Sequence, residues 1–294
     1  ALVNDNTYTN LAAAANLREA AATAERWPEA AADLGVAAEE IAGWRESADR
    51  VAVPYDDERE MPEQDRGSTR RQRWDFAASA EEDAYPLHHH ATYFDLYRKQ
   101  VAKQADLVLA LQWFGERFSL AEKAAAFAYA EELTVRDSSL SASSQAVLAA
   151  EVGHLDLAHA YLREAALVDV QDRKGDTRDG LHMASLAGAW IALVCGFGGL
   201  RDHGDRLRFA PRLPPGIDRL AFALSWRGCC VHVEVRNHHA RYEVEGEVGD
   251  GLAIVHHGDE VTLRTGEPLE LDVPDLKPLT DPPQQPVGRA PEPV

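Results

Sequence analysis

The sequence predicts a mostly α protein that closes with a small antiparallel β-sandwich. Two observations carry this. Residues 7–195 are rich in Ala, Leu, Glu and Arg, which favour helices. From about residue 200 the pattern shortens and alternates, as in VHVEVR, where Val231, Val233 and Val235 share one face. A third observation bounds both: the tail PLTDPPQQPVGRAPEPV is too Pro-rich for helix or central strand and is expected to be disordered or extended.

Seven helices are expected in the first part. TNLAAAANLREAAATAERW forms the first, capped by Thr9 or Asn10 and followed by Pro28. AAEEIAGWRESADRVAV forms the second, stopped by Pro54. YFDLYRKQVAKQADLVLALQWF forms the third and longest, with Phe94, Tyr97, Val101, Ala105 and Val108 stepping along one inward face. SLAEKAAAFAYAEEL is the fourth. SSLSASSQAVLAAEVG is the fifth, capped by a Ser and closed by Gly153. DLAHAYLREAALVD is the sixth. DGLHMASLAGAWIALVCG is the seventh, apolar nearly all round and so expected to be deeply buried. Then LRFAP, LAFALSWRG, CCVHVEVRN, ARYEVEGE, LAIVHHGD and VTLRTG follow as strands parted by Gly, Asn and Asp. Antiparallel helices followed by strands suit a helical toroid or bundle with an appendage. A solenoid of helix pairs competes, but no fixed repeat period runs through the chain.

Composition narrows the function. The 294 residues carry a net charge of −19, which argues against nucleic acid or an anionic membrane as main partner. No apolar run is long enough for a membrane span, and no charged-then-apolar leader opens the chain. Cys195, Cys229 and Cys230 make no disulfide framework and suit a reducing compartment, so a cytoplasmic protein is expected. C-x-x-C, P-loop and G-x-G-x-x-G motifs are missing, and the adjacent His88, His89 and His90 have no metal-ligand spacing, so neither metal nor cofactor is expected.

Four segments are more polar than helix packing requires: VNDNTYTN; FDLYRKQVAKQAD with Lys103 and Gln104; ELTVRDSSLSASSQ with Asp137, Ser138 and Ser139; and DTRDGLHMASLAG with Gly180 and His182. The last two set hydroxyls or an imidazole beside the N–H groups of a helix start, an arrangement that favours an anion. The plain alternative is that the serines cap a helix and His182 is a satisfied core residue.

Three stretches taken together resemble a family. YFDLYRKQVAKQADLVLAL, TVRDSSLSASSQAVLAAEVGHLDLAHAYLREAALVD and DTRDGLHMASLAGAWIALVCGFGGLR are similar, in order, to the C-terminal half of glycoside hydrolase family 65, the maltose, trehalose and kojibiose phosphorylases. LRFAPRLPPGIDRLAFALSWRG looks like the start of that family's C-terminal β domain. The resemblance implies a partial (α/α)₆ toroid over residues 1–197, a small β-sandwich domain over 198–275 and a Pro-rich disordered tail over 276–294. It implies inverting phosphorolysis of an α-linked glucose disaccharide to β-glucose 1-phosphate, with inorganic phosphate as co-substrate. An inverting hydrolase needs a carboxylic acid for the leaving oxygen and a carboxylate for water. A phosphorylase needs only the acid and a cradle for phosphate. VNDNTYTN looks like the stretch just after the family's catalytic Glu, so the general acid is expected just upstream of Ala1 and no catalytic residue is assigned here. Lys103 and Gln104 match the glucosyl-binding pair; Ser138, Ser139, Gly180 and His182 match the phosphate loops. Two departures, the basic PEQDRGSTRRQRWDF and the extra His in LHHHATYFDLYR, bear on acceptor specificity. A homodimer is expected by family analogy, and a separate N-terminal half is a conceivable partner. The other reading is a stand-alone, non-catalytic helical scaffold or sugar-binding module.

Overall fold

The computed structural model describes residues 3–172, 175, 177–204 and 206–294. The chain divides into two compact units: the stretches up to Ala102 and over Asp106–Ala126, and the stretches Lys103–Ala105 and Phe127–Val294.

The first unit opens with α1 (Thr7–Arg26), α2 (Pro28–Asp33) and α3 (Ala38–Arg50). Asn6, rather than Thr9 or Asn10, caps α1, its Oδ1 accepting from the Thr9 amide at 2.9 Å. Pro28 ends α1 as expected and starts α2, where its missing N–H costs nothing. A two-residue antiparallel pair follows, β1 (Tyr55–Asp56) with β2 (Met61–Pro62). Next come β3 (Gln72–Arg73), α4 (Phe76–Glu81), α5 (Tyr93–Leu96) and β4 (Lys99–Gln100), with β3 and β4 parallel. The helix α6 (Asp106–Trp113) ends this part, and α7 (Leu120–Glu131) starts on a capping box between Ser119 and Glu122.

The long third helix of the sequence reading is therefore absent. Its span holds α5, β4, a connecting stretch and α6. The cause is a distant contact: the Gln100 amide donates to the carbonyls of Thr69 at 2.9 Å and Arg71 at 2.5 Å, pulling its backbone out to pair with β3. Phe94, expected to face inward, is exposed.

The second unit is built on α8 (Ser141–Glu151), α9 (Leu155–Ala166) and α10 (Met183–Ile191), with α10 running into a wider π turn over Ala192–Phe197. Gly153 joins α8 to α9 at φ +96°, where a Cβ would also stand 3.0 Å from the Pro278 backbone. The strands form two sheets. One is antiparallel, in the order β11 (Leu269–Asp272), β8 (His239–Glu245), β7 (Cys229–Arg236), β6 (Arg219–Trp226). The other is mixed: β10 (Asp259–Leu263) pairs antiparallel with β9 (Leu252–His256), and β5 (Leu207–Phe209) pairs parallel with β9. The expectation of a wholly antiparallel region fails at β5. Val231, Val233 and Val235 do point to one buried face, and they share a core with Phe209, Tyr242 and Ile254.

Arg212 ties this core to the helices. Its guanidinium donates to the carbonyls of Ala150 (3.0 Å) and Glu151 (2.7 Å) at the end of α8, the negative end of that helix. Burial pulls its pKa down to about 10, which leaves it a cation at neutral pH. The tail beyond residue 275 has neither helix nor strand. It lies along the helices of its unit, with Pro286 and Pro291 buried and Thr280 Oγ1 3.1 Å from His154 Nε2.

Candidate anion and sugar site

Lys103 and Gln104 do not sit mid-helix. They lie in the exposed stretch between β4 and α6. There the Gln104 amide donates to Ser138 Oγ at 2.7 Å. The residue matched to sugar and the residue matched to phosphate are thus directly bonded, across 34 positions of sequence.

The loop that carries Ser138 is held from several sides. Arg136 adopts φ +53°, a left-handed conformation that costs a side-chain-bearing residue on the order of 1 kcal/mol. Its buried guanidinium pairs with Glu164 on α9, donates to the Arg289 carbonyl and lies 5.2 Å over the Tyr161 ring. The next residue, Asp137, has a buried side chain that accepts from Arg289 Nη2 at 2.8 Å.

Neither serine caps α8. The residue preceding it is Leu140, and no side chain caps its first turn. Besides Gln104, Ser138 Oγ accepts from the Leu140 amide at 3.3 Å, one residue short of the first-turn N–H groups. The Ser141 hydroxyl is buried with no hydrogen-bond partner among the described residues. The expected Ser cap is missing, so the first-turn N–H groups and a buried hydroxyl remain available at a helix start.

His182 stands just before α10 rather than one turn inside it. Asp169 fixes it twice: one carboxylate oxygen lies 2.6 Å from Nδ1, and the other accepts from the backbone N–H at 2.9 Å. The carboxylate puts a proton on Nδ1, so Nε2 is the edge the ring turns to other groups. Gly180, at φ +130°, makes the turn into this helix. Asp169 is invisible to motif reading, because it meets His182 across 13 positions with no motif to link them.

Ser139 faces a cavity of about 180 Å³. Glu164 on α9 and Ser185 on α10 line it, with Arg136 from the loop, Val168 from the turn after α9, and Gly288, Arg289, Ala290 and Glu292 from the tail. The same unit holds a buried carboxyl, Glu131, bonded to Gln145 Nε2 at 2.5 Å, Tyr161 OH at 2.5 Å and Gln285 Nε2 at 2.8 Å. Burial holds the Glu131 pKa above the usual carboxylate range despite these three donors.

The seventh helix is not buried all round. Leu181, Met183 and Trp190 are 62%, 68% and 52% exposed. Gly188 instead marks its tight side, where a Cβ would come 2.7 Å from Ser143 Oγ on α8.

The polar N-terminal stretch serves its own unit. Thr7 Oγ1 donates to the Glu63 carbonyl at 2.5 Å, and Asp5 pairs with Arg66 at 2.7 Å. The basic segment after residue 62 also pairs locally: Arg70 with Glu63 and Arg71 with Asp65. All three cysteines are free.

The model of the glycosyl hydrolase family 65 central catalytic domain matches residues 1–191. The chain belongs to glycosyl hydrolase family 65. The model of that family's C-terminal domain matches residues 200–263. An uncharacterized glycosyl hydrolase of Mycobacterium leprae is 52% identical over 99% of the chain and 36% of its own length. The α,α-trehalose phosphorylase of Geobacillus stearothermophilus is 36% identical over 92% of the chain and 36% of its own length. A solved structure from the human microbiome, provisionally described as a kojibiose phosphorylase, superposes with a TM-score of 0.78 at 25% identity, over 92% of the chain and 38% of its own. The chain thus spans little more than a third of each of these relatives.

Proposed function

We propose that the chain is the C-terminal part of a disaccharide phosphorylase. Its substrate is an α-linked glucose disaccharide, cleaved with inversion by inorganic phosphate to β-glucose 1-phosphate. The general acid lies outside these residues. Lys103 and Gln104 serve the glucosyl unit, where Lys and amide donors suit sugar hydroxyls. Ser138, Ser139, Gly180 and His182 serve the phosphate. The observation that carries the reading is the uncapped start of α8 beside Ser138 and Ser139. A helix start whose N–H groups have no side-chain cap favours an anion through its unpaired donors and dipole. The Gln104–Ser138 bond supports it by joining the sugar and phosphate elements.

A stand-alone scaffold is not favoured. The relatives that match about nine-tenths of the chain include trehalose phosphorylases. The exposed Leu181, Met183 and Trp190 also leave an apolar face that a self-contained module would cover. The test is phosphorolysis by the 294-residue chain beside that of the whole polypeptide that carries it. Glucose 1-phosphate should appear from trehalose, maltose or kojibiose only with the whole polypeptide. Turnover by the chain alone would overturn the assignment of the acid.

A further inference from the structure

The Pro-rich tail places one cation, Arg289, against the loop that carries the two serines. Arg289 Nη2 donates to the buried Asp137 carboxylate at 2.8 Å, and its Nε donates to the Val135 carbonyl. The Arg289 carbonyl in turn accepts from Arg136. A guanidinium can make these contacts at once, because its donors are fixed in a planar fork. The tail is anchored on both sides of this contact. Gln285 donates to Glu131 at 2.8 Å, and Arg163 on α9 donates to the Pro293 carbonyl at 3.3 Å. Pro286 and Pro291 are buried between them. Proline lowers the entropy lost when such a segment is ordered, so a Pro-rich strap suits a fixed path better than a flexible tail would.

We infer that Arg289 is a positioning residue for the Asp137–Ser138–Ser139 loop, and that the segment 276–294 is a strap that holds this loop in its binding geometry. Three features converge on it. Arg136 is in a left-handed conformation that relaxes unless its neighbours hold it. Asp137 is a buried charge, which requires a partner in any ordered state of the loop. Ser138, one residue on, sets Gln104. Arg289 thus acts through Asp137 on Ser138 and Ser139. Its functional consequence rests on the phosphate reading of the loop; its structural consequence does not.

The experiment uses the whole polypeptide with Arg289→Ala, Arg289→Lys and a stop after residue 275. Hydrogen exchange of the Asp137–Leu140 amides reads loop order. Initial rates read the phosphate and disaccharide KM. Exchange at these amides should quicken about tenfold or more in Arg289→Ala and in the truncation, while α9 stays protected. The phosphate KM should rise about tenfold with kcat within about twofold, as for one lost charge-assisted contact. Arg289→Lys should fall between, since it keeps the charge on Asp137 but not the second arm to Val135. If Arg289→Ala does not fold, Arg289→Lys alone must still show faster exchange at the loop. Unchanged exchange at 137–140 overturns the strap. Faster exchange with an unchanged phosphate KM overturns the positioning role. Absence of phosphorolysis in the wild type overturns the phosphate reading instead, and the exchange arm then decides the strap by itself.

Discussion

Removing the His182 ring should weaken phosphate binding and leave the sugar almost untouched. The ring is held by Asp169 at 2.6 Å from Nδ1, and the same carboxylate accepts from the His182 N–H at 2.9 Å. His182→Ala therefore keeps the backbone bond and removes only the ring. A hydrogen bond to a charged group contributes about 1.5–3 kcal/mol, so the phosphate KM should rise roughly ten- to a hundredfold. Asp169→Ala should move it in the same direction, because the ring loses the group that fixes its tautomer and orientation. If Asp169 acts through the ring, the double variant should match His182→Ala to within about twofold. The assay varies phosphate at saturating disaccharide, then disaccharide at saturating phosphate, in the whole polypeptide. The disaccharide KM should stay within about twofold. A folded His182→Ala protein with an unchanged phosphate KM refutes the reasoning and makes His182 a structural residue before α10. Strictly additive losses refute the coupling to Asp169.

Gln104→Ala should raise the disaccharide KM about threefold to tenfold, since under the proposed function it loses sugar donors and the 2.7 Å bond to Ser138; steady-state rates check it. Gly199→Ala should destabilise the second unit by more than about 3 kcal/mol, because Gly199 sits at φ +63° and a Cβ would fall 2.2 Å from the Ala210 carbonyl oxygen; urea melts of the whole polypeptide measure it. His257 has its pKa pushed down to about 4 by burial, then by His256 and Arg212. The unfolded chain therefore binds the extra proton first, and stability should fall as pH drops from about 6.5 towards 4. The residue is only half-buried, so solvent screening holds this loss to about 1–2 kcal/mol; melts of wild type and His257→Gln across that range should converge at low pH.

What the sequence reveals here depends on how local each cause is. α1, α8 and α9 were legible from composition and periodicity, because eight of the eleven α8 positions are buried and its small residues pack on all sides. The strands β5 to β10 were legible from alternation and turn residues. The parallel pairing of β5 with β9 was not, since register across 47 positions (Leu207 to Ile254) has no local signal. The long third helix failed for the same reason: two bonds from Gln100 to a loop 29 and 31 positions away outweigh the helical period. At the site, the polar excess pointed to Gln104, Ser138, Ser139 and His182. Their supports, Asp169, Arg136 and Arg289, were hidden because each acts through a contact that only the fold creates. The exposure of Trp190 and Met183 was equally hidden, because an apolar helix reads alike whether its partner face is occupied or open.

The most direct measurement follows the anomeric product by NMR when the whole polypeptide meets trehalose, maltose or kojibiose with phosphate. The account predicts β-glucose 1-phosphate from one of them, in a rate that depends on phosphate and is lost first at low phosphate in His182→Ala. Release of free glucose at a rate indifferent to phosphate, or formation of the α-anomer, would contradict it.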